Sequence, residues 1–64
     1  MTKLQFDNRS SILCGRMVSL DADTRRAAAS EARELLNTLP AVLKNSPHCV
    51  GEISAMESLI NRVL

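Results

Sequence analysis

"DADTRRAAASEARELLNTL", residues 21–39, sets Ala28, Ala32, Leu35 and Leu39 at steps of four, three and four, with Val42 three further on. That spacing lines one face of an α-helix. Alanine and leucine are strong helix formers, and Arg25, Arg26, Arg33 and Glu34 supply polar positions. Asp21 and Asp23 stand where a carboxylate meets the positive end of the helix dipole, and Ser19 or Asp21 can cap the first free N–H groups. These features predict a helix over about 21–38.

Moving toward the C-terminus, Pro40 lacks an N–H and crowds the carbonyl four residues back, so the helix ends near Thr38. "PAVLKN", residues 40–45, fits one further turn with Val42 and Leu43 inward. In "SPHCVGEISAMESLINRVL", residues 46–64, Ser46 is a preferred N-cap residue and Pro47 falls at the first helical position, where its missing N–H is not needed. Ile53, Met56, Ile60 and Val63 recur at steps of three, four and three, and Leu59 widens the stripe. A second amphipathic helix is expected over about 47–63, with Glu52 toward its N-terminal end and Arg62 at its C-terminal end matching the dipole. Gly51 weakens the first turns.

The first twenty residues support two readings. Leu4 and Phe6 alternate with Lys3, Gln5 and Asp7, which suits a short strand, and "DNRSS" reads as a turn or a cap. Gly15 and the β-branched Ile12 and Val18 extend that reading to a small hairpin, whereas Leu13, Met17 and Leu20 fit a helix. The fold class expected is therefore mainly α: two antiparallel amphipathic helices after an N-terminal strand, hairpin or helix, all in one small domain over residues 1–64.

Length and composition bear on how such a domain holds together. A chain of 64 residues lies near the lower limit for a core that sustains itself. Seven of its 29 apolar residues are alanines, and it has one Phe, no Trp and no Tyr. Two helices folded on each other hide only part of each stripe. The expectation is a surplus of apolar helical surface, formed by Leu35, Leu39, Val42, Ile53, Met56, Leu59, Ile60 and Val63 and covered by a second copy in a homodimer or by a larger protein.

Charge and motifs narrow the function classes. A net charge of +1 with 23% charged residues gives no bias toward nucleic acid or an anionic membrane. No apolar run approaches the length of a membrane span. "MTKLQFDNRS" turns acidic and polar after one lysine, unlike a signal peptide, so a cytoplasmic location with Cys14 and Cys49 as free thiols is expected. The sequon at Asn8 is then unused.

The candidate chemistry is thin. Cys49 near a helix N-terminus is a candidate nucleophile, but the adjacent His48 points about 100° away around the helix, and no Asp or Asn is placed to orient its imidazole. Cys14, His48 and Cys49 lack the paired spacings of zinc sites, and Gly15 and Gly51 form no phosphate loop. Glu31 and Glu34 resemble an ordinary solvated pair. No catalytic residue, metal or cofactor is expected. The favoured function is a non-enzymatic interaction or adaptor protein that binds and modulates a larger protein. The alternative is a dimeric nucleic-acid-binding regulator with Arg25 and Arg26 on phosphates; it is opposed by the near-neutral charge, the lack of stacking aromatics and the neighbouring Asp21 and Asp23.

Overall fold

A computed structural model describes all residues from Met1 to Leu64 and shows four helices and no strand: α1 (Lys3–Met17), α2 (Ala22–Thr38), α3 (Ala41–Lys44) and α4 (Pro47–Val63). The mainly α class holds, and the N-terminal ambiguity resolves to helix. Phe6 is wholly buried while Leu4 is 68% exposed. On a strand the two would share a face; on a helix, two residues apart means about 200° of rotation. Phe6, Ser10, Leu13 and Met17 form the buried stripe of α1, at steps of four, three and four.

The start of α1 is fixed by a capping box. Thr2 Oγ1 accepts from the Gln5 N–H at 3.2 Å, and the Thr2 N–H donates to Gln5 Oε1 at 2.8 Å. Two N–H groups that the first turn would leave unpaired are satisfied reciprocally. The turn into α2 is also tied: Asp21 accepts from the Thr24 N–H at 2.9 Å and from its hydroxyl at 2.6 Å, and Ser19 Oγ accepts from the Asp21 N–H at 3.2 Å.

Helix α2 begins one residue later than expected and ends at Thr38 as expected. Leu39, in front of Pro40, is extended at ψ 130°, as the proline ring demands. The short α3 buries Leu43 but leaves Val42 82% exposed, so the inward placing of Val42 is corrected. Four residues make barely one turn, and only one side of it reaches the core. Helix α4 spans the expected residues with Pro47 in its first turn, yet Ser46 caps it by position only: its hydroxyl makes no capping bond, and its carbonyl receives the Cys49 and Val50 N–H groups at 3.0 and 3.3 Å.

Helices α1, α2 and α4 all pack on one another around a single core. Consecutive helices α1 and α2 run antiparallel through the tight turn. Asp7 early in α1 meets His48 and Glu52 early in α4, so these two run parallel. Small side chains, Ala28, Ala29 and Ala32, are buried on α2 together with Leu35. They let the neighbouring helices approach closely, while Phe6, Met17, Met56 and Cys49 fill the interior. Helix α1 of the same chain packs on both α2 and α4, and the three helices share one core.

Candidate functional site

Of the residues expected at a partner surface, Leu35, Leu39, Met56 and Ile60 lie in the chain's own core, and Ile53, Leu59 and Val63 are half-buried against it. Val42 alone among them is well exposed, on α3. Leu35, Leu39, Met56 and Ile60 therefore serve the chain's own packing, while Ile53, Leu59 and Val63 keep part of their surface open. The exposed large hydrophobes are instead Met1, Leu4, Ile12, Val18, Leu20, Val42, Val50 and Leu64. Three of these, Val18, Leu20 and Leu64, share the end of the bundle formed by the α1–α2 turn and the end of α4.

The turn at that end is tied by hydrogen bonds to its own residues and to α2. Arg25 Nη1 donates to the Ser19 carbonyl oxygen at 2.7 Å, bracing the turn from α2, and Leu20 is held entirely outside it. Arg26 pairs with Asp23 at 2.5 Å, both side chains largely in water. The two guanidinium groups considered as phosphate contacts are thus both engaged within the chain.

A second constellation lies at the opposite end of the α1/α4 seam. Asp7, His48 and Glu52 bring one potential ligand atom each to within 4.8 Å of one another. His48 and Glu52 are four residues apart, one above the other on α4, and Asp7 faces them from α1. His48 Nε2 stands 3.7 Å from Asp7 Oδ2, outside hydrogen-bonding distance. Asp7 Oδ1 and Glu52 Oε2 are shut off from water and have no hydrogen-bond donor. Burial, and then the facing Asp7 carboxyl, hold the Glu52 carboxyl above its ordinary range; His48 and Lys3 oppose this through their charges. Neither carboxyl offers the other a donor while both are ionised, so a shared proton or a bound cation would relieve their repulsion.

Sequence reasoning weighed His48 beside Cys49 and missed this group. The structure separates that pair: Cys49 is wholly buried, while His48 lies on the outside of α4. Cys14 is half-buried, and both cysteines are free thiols. Glu31 and Glu34 border an open groove between α1 and α2, facing Arg9 and Arg16. No helix is long and apolar enough to cross a membrane.

The architecture defines a three-helix bundle with an added single-turn helix. No family model, curated protein or solved structure matches the chain.

Proposed function

We propose that the chain is a non-enzymatic interaction module that binds a larger protein through the end of the bundle carrying Val18, Leu20 and Leu64. The observation that carries this reading is Leu20, held fully in water by a turn that is itself braced by hydrogen bonds. A large apolar side chain on a rigid projection loses little freedom on docking, which favours affinity. Such a knob needs an apolar pocket. The larger groove of this chain mixes Met1, Ile12, Leu13 and Leu35 with Arg9, Arg16, Glu31 and Glu34, so its apolar floor is rimmed by charge. A knob with no charged neighbour of its own fits such a charge-rimmed groove less well than an apolar pocket on a different protein, which is the occupant proposed. The reading places the module in the cytoplasm, where Cys14 and Cys49 remain thiols. A nucleic-acid role for Arg25 and Arg26 would require both to leave their present partners.

The test is affinity capture from the native cell with the wild-type chain, Leu20→Lys and the control Ile12→Lys, each shown to be helical by circular dichroism. The expected result is one protein recovered in stoichiometric amount with the wild type and the control and lost with Leu20→Lys. Equal recovery with Leu20→Lys overturns the reading. So does sedimentation showing only a homodimer that Leu20→Lys dissociates, since the occupant would then be a second copy.

A further inference from the structure

We infer that Asp7, His48 and Glu52 form a binding site for one divalent transition-metal ion, of the Zn²⁺ class, that clamps α1 to α4. The inference is independent of the interaction surface, which lies at the other end of the bundle. It rests on two observations. One is the donor geometry: three ligand atoms of the right types converge from two helices within 4.8 Å. The other is the pair of orphaned oxygen atoms, Asp7 Oδ1 and Glu52 Oε2, which are removed from water with no donor to satisfy them.

The spacing suits the ion. Metal–ligand bonds of about 2.0–2.1 Å in a tetrahedral arrangement set neighbouring ligand atoms about 3.3 Å apart. His48 Nε2 and Asp7 Oδ2 already stand at 3.7 Å, and the three ligand atoms all lie within 4.8 Å of one another, so side-chain rotations have to draw them together by up to about 1.5 Å. His48 and Glu52 share one face of α4 at a spacing of four, the separation by which a single helix presents two ligands to one metal. Two like charges held close together at a part-buried seam repel each other, and a 2+ ion would neutralise both.

The donor set chooses the class of ion. One imidazole nitrogen with two carboxylate oxygens suits Zn²⁺ and its first-row neighbours, whereas Ca²⁺ and Mg²⁺ take oxygen ligands. His48 is more than half exposed, so a water molecule can complete the coordination. The arrangement supplies three protein ligands and an open position.

Calorimetric titration of the metal-stripped full chain with Zn²⁺ near neutral pH tests the inference, alongside thermal melting and the His48 ring signals in NMR spectra. One equivalent should bind, raise the melting temperature and shift the His48 ring. His48→Ala, at an exposed position, should keep the fold and lose the effect. Asp7→Asn and Glu52→Gln, which preserve shape, should each weaken binding by more than tenfold, since even loss of a residue behind a metal ligand costs about 10–100-fold. No heat and no rise in melting temperature at micromolar Zn²⁺ would overturn the inference and leave a shared proton between the carboxyls. Binding that persists in His48→Ala would also overturn it, with Cys14 and Cys49 then the ligands to examine.

Discussion

Arg25 reaches back six residues along the chain to the carbonyl oxygen of Ser19, while its neighbour Arg26 reaches only to Asp23 on the same helix. The first contact is partly buried and joins the turn to α2; the second is an ion pair in open solvent. A hydrogen bond between a charged donor and a partly buried carbonyl is worth more than a solvated pair, whose attraction is screened and offset by side-chain ordering. Arg25→Ala should therefore lower stability by about 1 kcal/mol, and Arg26→Ala by less than about 0.5 kcal/mol. Urea unfolding monitored by circular dichroism checks both. Equal effects would mean that the Ser19 contact does not brace the turn in solution.

The role of α1 sets the second prediction. Phe6 is wholly buried between α1 and the other helices, so Phe6→Ala should cost about 3–5 kcal/mol. A chain of this size has a total stability of only about 3–10 kcal/mol. The variant should consequently be largely unfolded at moderate temperature, whereas Leu4→Ala, two residues away on the exposed face, should melt close to the wild type. Thermal melts of the two variants decide the matter. A Phe6→Ala variant that melts like the wild type would show that α2 and α4 hold together without α1 and that their stripes are covered by another chain.

The contrast between Leu4 and Phe6 also explains which parts of the fold could be read from the sequence. Helices α2 and α4 declared themselves through Asp21, Pro40 and Pro47, residues whose chemistry acts locally whatever the tertiary context. Helix α1 carries an equally local signal, Thr2 followed three residues later by Gln5, but its apolar period is interrupted because Ser10 occupies a core position. The alternation of Leu4 and Phe6 then imitates a strand. With residues 3–18 open to either strand or helix, the sequence shows no partner for the core residues Leu35, Met56 and Ile60. The Asp7, His48 and Glu52 group was hidden for the same reason. The spacing of His48 and Glu52 is visible in the sequence, but Asp7 joins them only through the packing of α1 on α4.

Asp21 makes the stability of α2 pH-dependent. The hydroxyl and then the backbone N–H of Thr24 donate to its carboxylate and hold its pKa below the ordinary 3.8, with Arg25 and Arg26 adding to the effect through their charges. A carboxylate whose pKa is lower in the folded than in the unfolded chain stabilises the fold at pH values above the unfolded pKa. That contribution declines as the pH falls below 3.8 and is gone once the pH has passed through the folded value. Asp21→Ala should therefore be less stable than the wild type at neutral pH, and the difference should shrink on acidification through this range. Melting curves from neutral to strongly acid pH measure it. A difference independent of pH would mean that the charged carboxylate is not what caps α2.

Gly15 and Gly51 lie inside helices, and neither has the positive φ that glycine alone adopts readily. A Cβ at either position would meet no atom within 4 Å. Neither glycine is therefore required by a turn or a close helix approach, and each leaves the unfolded chain with extra freedom that folding must remove. Gly15→Ala and Gly51→Ala should each stabilise the protein by about 0.5–1 kcal/mol. The sites are on different helices, so the double variant should approach the sum of the two. In a domain this small such a gain is a sizeable fraction of the total, and urea midpoints resolve it readily. If Gly51→Ala proves destabilising while Gly15→Ala stabilises, the first turns of α4 open in solution, and the glycine there serves a motion that includes the neighbouring His48 and Glu52.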